Sequence, residues 1–321
     1  PEGFPLARSG AVGRGWVLRM ARISVFDPWA RARRGKRRSM NLADFATEHQ
    51  LHRVGARPKL WQYLKQTWDR RDFAIAMARF RIQAAQETNR LGMVWLVLQP
   101  TLNALIYGLI FYFLQTGGNR PADYPAYIVI GVFLFEYFSK SLNNGAKSIT
   151  GNRGLVQSLA FPRLALPGAV GIENFMQLVP MMGVMVIFLI GMGHFPTWEW
   201  LLMVPLIGLY TLFNTGVALF AARLTVHVRD LTQILPFVNR ILFYTSGVLF
   251  AVDKIFAAYP WAIRLYDFHP IYQVLQIARG LLMHQGFYTL HYWLYFALWS
   301  VVVFVVGLLF FWVAEERYGR D

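Results

Sequence analysis

The sequence predicts an all-α integral membrane protein. It has six transmembrane helices, an N-terminal amphipathic helix at the interface, and short external re-entrant helices between the fifth and sixth spans. Three observations predict this class. The chain is 56% hydrophobic and 16% aromatic but only 15% charged, where a soluble domain carries about a quarter charged residues. Its apolar residues gather in blocks of roughly the 20 residues that cross a hydrocarbon core. Finally, 19 of its 32 lysines and arginines precede Leu91, where those blocks begin. A net charge of +15 placed this way suits a membrane face better than a nucleic-acid groove, so no nucleic-acid partner is expected.

Residues 1–40 lack hydrophobic periodicity and hold Arg31, Arg33, Arg34, Lys36, Arg37 and Arg38 in one run. They read as a solvated tail or a contact for anionic lipid headgroups. The arginine pairs precede no apolar h-region, so neither a signal peptide nor a twin-arginine address is expected. Residues 70–90 then place Phe73, Ala76, Met77, Phe80 and Ala84 on one helical face. Arg79, Gln83 and Gln86 fall away from it and Arg81 sits at its rim, the pattern of a helix lying along an interface.

Six apolar blocks follow, at 94–114, 124–142, 170–192, 200–222, 234–252 and 292–313. The fifth is interrupted by Pro236 and Arg240. The N-terminal region and the connections at 143–169 and 223–230 are basic, as is the tail at 317–320. The 193–199 connection has no Lys or Arg and the 115–123 connection only Arg120. Basic loops stay inside, so both termini are expected to be cytoplasmic. Residues 253–291 are aromatic-rich and sparsely charged, too polar to span twice and too apolar for free solution. Short external re-entrant helices, broken by Pro260 and Pro270, fit that composition.

Much chemistry is excluded. The chain has no cysteine, which removes disulfides, thiolate metal sites and cysteine nucleophiles. It has no Gly-x-x-x-x-Gly-Lys-Ser/Thr phosphate loop and so should not hydrolyse ATP alone. Neither a His-Glu-x-x-His nor a Gly-x-Ser-x-Gly motif is present, and no catalytic or metal-binding residue is assigned. Glu136 is the one carboxylate deep in a block; Lys140 four residues on makes a helix-face ion pair its simplest role. The segment from Gly151 to Pro167 is a basic connection with two fixed prolines, and no acid follows it until Glu173.

Several motifs together resemble the ABC-2 type permeases. Phe80-Arg81, Leu91-Gly92 followed by Trp95, and Gln99-Pro100 resemble the start of that family's first span. Phe161-Pro162-Arg163, closing with Leu166-Pro167, is similar to the connection between the second and third spans in the branch that exports O antigen, capsule and teichoic acid. Arg229-Asp230 and the pair Pro270 and Arg279 fit the same pattern, which departs at His269, where the family has asparagine. Together with an arginine-rich, GC-type composition, it resembles the galactan exporters of arabinogalactan assembly in mycobacteria and their relatives.

The resemblance implies a basic N-terminal region at 1–66 and an ABC-2 transmembrane domain at 67–321. It implies a half-transporter in a bacterial plasma membrane, paired with a second copy of itself to form the pore. No cofactor would reside in this chain; ATP and Mg²⁺ would be held by two copies of a separate ATP-binding subunit. The cargo would be a polyprenyl-pyrophosphate-linked polysaccharide such as galactan, with a small amphiphile or drug as the alternative. Arg153, Leu159, Phe161, Pro162 and Arg163 would couple to the ATPase. Arg79 and Arg81 would meet lipid phosphate or the ATPase. Tyr107, Phe111, Tyr112, Phe133, Tyr137 and Phe138 would line the glycan channel, because sugar C–H faces pack on aromatic rings. Trp261, Tyr266, His269 and Tyr272 would form an external gate.

Overall fold

A computed structural model describes residues 58–87, 91–92, 94–115, 121, 123–158, 161–284 and 289–315. The arginine-rich run at 31–38, Leu159 and the basic tail at 317–320 lie outside the described residues. Among the described residues every regular element is helical.

Helix α1 (Leu60–Asp69) buries Tyr63 and exposes Trp61 and Trp68. The predicted single helix at 70–90 begins instead at a break: Arg70 caps α1 and α2 (Arg71–Glu87) follows. The packed face of α2 is also rotated by about one residue from the expected one. Ala74 and Ala78 are buried against the third long helix, with Phe73 and Met77 beside them, while Ala76, Phe80 and Ala84 are exposed. Two alanines give α2 the closest approach to its neighbour, and proximity of backbones wins over the bulk of Phe80.

Five helices are long and apolar enough to cross a membrane. They are α3 (Val94–Leu114), α4 (Tyr124–Lys147), α6 (Ala165–Gly191), α7 (Met203–His227, preceded by a 3-10 turn over Trp198–Leu202) and α12 (Leu290–Val313). Between α4 and α6 run a 3-10 turn (Thr150–Asn152) and the short α5 (Arg153–Ser158). Helix α4 is the hub, 78% buried over its apolar window, whereas α3 is only 11% buried. Contact at the hub is backbone to backbone. A Cβ at Gly145 would lie 2.6 Å from Ala218 Cα on α7, and one at Gly216 would lie 2.6 Å from Phe304 backbone on α12.

The fifth predicted span, at 234–252, is a 15-residue helix, α8 (Leu231–Thr245). It stops because Gly247 takes a positive φ of 68° and residues 246–251 leave the helix. Next come α9 (Val252–Ile255), α10 (Pro260–Asp267) and α11 (Pro270–Met283). Pro260 and Pro270 start helices rather than breaking them, since a first-turn proline lacks only an N–H that has no intrahelical partner. All of Ile271–Met283 is buried, so α11 is a core element rather than a surface one.

Candidate functional site

Three segments distant in sequence converge at one end of the bundle. Phe161 and Pro162 leave the α5 connection and turn into α6, with Ala165 N donating to Pro162 O at 3.0 Å. Phe161 packs on Phe73 of α2, ring centroids 5.5 Å apart. The hydroxyl of Tyr63 donates to Glu315 Oε2 at 2.5 Å and accepts from Leu164 N at 3.0 Å. Arg163 N donates to Glu315 Oε1 at 3.3 Å, and its guanidinium donates to the Glu315 carbonyl. Trp312 Nε1 donates to Pro58 O at 3.0 Å. Helix α1, the connection and the end of α12 are thus tied around one carboxylate.

The electrostatics of this clasp are mixed. Burial holds the Glu315 carboxyl above its ordinary value of 4.5, while Tyr63 and Arg163 pull it back down. The coupling residues expected from sequence are brought together only in part. Pro162 is buried, Phe161 and Arg163 are half-buried in the clasp, and Arg153 is half-buried at the start of α5. On α5, Val156 is buried and Leu155 packs inward, in a cluster with Tyr63, Leu164 and Leu308. An apolar side chain near water gains more by covering the bundle end, so the outer surface of α5 is left to Gly154 and Gln157. Tyr63 and Glu315 were missed, because nothing local in sequence marks a tyrosine and a carboxylate 252 residues apart as partners.

Beside the clasp, Arg81 Nη1 lies 3.5 Å from Glu173 Oε2, whereas Arg79 is exposed. The expected ion pair between Glu136 and Lys140 is present at 3.9 Å. No group of three potential metal ligands occurs among the described residues.

The aromatic residues expected along a channel divide into two sets. Tyr107, Phe111 and Tyr112 on α3 keep accessible surface, and Tyr107 meets Phe243 of α8 at 5.0 Å. Phe133, Tyr137 and Phe138 on α4 are instead 1%, 2% and 4% exposed. Tyr137 donates to Thr211 Oγ1 at 3.0 Å and packs on Tyr210, and Phe138 stacks on Phe213. Tyr137 and Phe138 thus belong to the α4–α7 core, whereas Phe133 lines a cavity between α3, α4 and α6 together with Tyr112, Ile128 and Phe188.

At the opposite end, Tyr266, His269 and Tyr272 come together, and Trp261 stands apart at 69% exposure. Tyr266 and Tyr272 rings sit 5.5 Å apart. His269 is the N-cap of α11, its Nδ1 accepting from Tyr272 N at 3.2 Å. That is the task an asparagine side chain performs at the same position, so the departure from the family pattern preserves the cap. Burial lowers the His269 pKa below its ordinary 6.5, keeping Nδ1 available as an acceptor.

Sequence reasoning noted Arg279 but not its role. It is fully buried beneath residues 246–251, with the guanidinium carbon 3.3 Å from the centre of the Tyr127 ring. It donates to Val248 O at 2.9 Å, Gly247 O at 3.0 Å and Tyr127 O at 3.3 Å. Tyr124 and Gln115 side chains both donate to Leu249 O, at 2.9 and 3.0 Å. Non-helical backbone within an apolar bundle has its carbonyls answered in this way.

Comparison with known proteins agrees with this architecture. The chain is 26% identical over 254 residues to the O-antigen export system permease protein RfbA of Klebsiella pneumoniae, covering 78% of this chain and 94% of that protein. It is 26% identical over 192 residues to the RfbA permease of Myxococcus xanthus, covering 60% of this chain and 73% of that one. It is 23% identical over 229 residues to the polysialic acid transport protein KpsM of Escherichia coli, covering 71% and 87% respectively. The ABC-2 type transporter family model matches residues 73–283, more than half of the chain, and this protein therefore belongs to the ABC-2 type transporter family.

Proposed function

We propose that this chain is the membrane-spanning permease of an ATP-driven exporter that carries a polysaccharide across a bacterial plasma membrane. The clasp carries the reading. A connection between two long helices, pinned to both α1 and the end of α12 by Tyr63 and Glu315, is a stiff element that a partner can push. The chain has no phosphate loop, so the push comes from a separate subunit holding ATP and Mg²⁺. Two copies of that subunit act beneath two copies of this one. The clasp end then lies in the cytoplasm together with both termini, and α8 completes six crossings by joining the buried, re-entrant α9–α11 region.

The cargo class follows from the relatives, whose names specify O-antigen export and polysialic acid transport. A polyprenyl-pyrophosphate-linked glycan, galactan by composition and resemblance, is the specific substrate proposed. Phe161 and Arg163 act in coupling, and Arg79 on the exposed side of α2 is the cation open to lipid phosphate.

The test uses the chain reconstituted with its ATP-binding subunit. Phe161→Ala and Arg163→Ala should assemble normally and lose most transport-coupled ATP hydrolysis. Unchanged turnover in both would remove the coupling assignment. Depletion in cells should cause lipid-linked glycan to build up inside; no build-up would remove the substrate class.

A further inference from the structure

Helix α4 is inside-out for a membrane helix. From Ala126 to Lys147 its accessible side chains are Glu136, Ser139, Lys140, Asn143, Asn144 and Lys147, all polar, while every apolar side chain is buried. Positions 136, 140, 143 and 147 share one helical face, so this is a continuous strip. A helix against lipid shows the reverse pattern, and charged groups within a span face a cavity or a partner.

The strip continues onto facing elements. On α6 it passes to Glu173, which keeps accessible area and accepts from the buried Gln177 Nε2 at 3.3 Å. The buried Asn174 holds Asn144 from beneath, its Oδ1 accepting from Asn144 Nδ2 at 3.0 Å. Glu173 in turn meets Arg81 of α2 at 3.5 Å. Charge alternates along the surface, from Arg81 to Glu173 to Lys140 to Glu136, and carboxamides and Ser139 lie between. Both Lys140 and Glu136 retain accessible side-chain area, 19% and 16%.

We propose that this strip is the surface along which the hydroxyls of the exported glycan slide through the inner half of the membrane. The proposal rests on the exporter reading above and adds where the cargo lies. A hydroxyl both donates and accepts. A surface of alternating donors and acceptors with balanced charge meets hydroxyls at any register. A polyanion would call for cations alone, and an acyl chain for neither. In the half of α4 that carries the strip, Tyr137 and Phe138 are spent on α7 and Phe135 on Phe243 of α8, so the polar side is what that half has left to offer cargo.

The absence of native cysteine supplies the test. Single cysteines at Ser139→Cys and Asn143→Cys are compared with Ile187→Cys and Val204→Cys, two exposed apolar positions on other spans. Each variant is held with its ATP-binding subunit in native membranes and treated with a charged methanethiosulfonate, which reacts with the thiolate in water. The strip positions should label at least about tenfold faster than the apolar ones. Their labelling should slow severalfold in membranes that contain lipid-linked glycan, relative to membranes from cells depleted of the first polyprenyl-phosphate sugar transferase.

Labelling as slow as at Ile187 and Val204 would overturn the proposal, placing the strip in a dry interface between copies. Fast labelling unaffected by glycan would also overturn it, leaving a water-filled crevice without cargo. Either result leaves the exporter reading standing if depletion still causes lipid-linked glycan to accumulate. Failure of that accumulation removes the exporter reading instead.

Discussion

The Tyr63 hydroxyl lies 2.5 Å from Glu315 Oε2 while accepting from Leu164 N, so one phenol joins the start of the described chain, its middle and its end. Tyr63→Phe removes the donor to a buried carboxylate and leaves Leu164 N without its acceptor. It should destabilise the purified complex by about 1–3 kcal/mol, and Glu315→Ala should do so by a similar amount. Thermal unfolding followed by size-exclusion fluorescence checks this; a melting point unchanged in both variants would show that the clasp holds nothing.

The same carboxyl sets a pH dependence. Its folded pKa is raised above 4.5 by burial, so its contribution to stability is full below 4.5 and is lost as pH rises through the raised value. Glu315→Gln should flatten that part of the stability profile. Melting curves taken across the acid range decide it, and identical slopes for both proteins would contradict the assignment.

At the other end the sign reverses. His269 caps α11 through Nδ1, and burial lowers its pKa below 6.5. The stability it supplies is present above 6.5 and disappears as pH falls through the lowered value, when Nδ1 takes a proton and can no longer accept. His269→Asn should keep the cap without the acid loss, and His269→Ala should cost about 1 kcal/mol at neutral pH. Equal stability of the Ala and Asn variants at neutral pH would show that the cap is unimportant.

Arg279 and Gly131 form a lock of matched size. A Cβ at Gly131 would come within 2.6 Å of Arg279 Nη2 and 3.0 Å of Val248 O. Gly131→Ala should therefore destabilise by about 1–3 kcal/mol through overpacking. Arg279→Met should cost more, since the carbonyls of Gly247 and Val248 lose their donor in a buried place. Protease sensitivity near residues 246–251 offers a local readout; protection equal to the parent in both variants would refute the lock.

The helices were legible in sequence because their cause is local. Apolar runs longer than a hydrocarbon core place α3, α4, α6, α7 and α12 without knowledge of neighbours. Rotation about each helix axis was not legible. An aromatic residue on an apolar helix reads the same whether it meets lipid, core or cargo, and so the sequence does not separate Tyr137 and Phe138, which pack on α7, from Phe133, which lines a cavity with Tyr112. Polar residues within a span are costlier to place, and Glu136 and Lys140 therefore gave the more reliable signal. The turn chemistry at Pro260 and Pro270 was visible, but its sense depended on where each helix began.

Helix α7 carries Gly216 against the backbone of α12, and its Ala218 meets Gly145 of α4. Backbones in direct contact have no compressible side-chain layer between them, so sliding or rolling must first pry them apart. These three helices consequently form a stiff strut, along which force applied at one end arrives at the other with little lost to bending. Compliance is left to the loosely held α3, the short α8 and the turns beside them, which is where an opening motion would find its hinges.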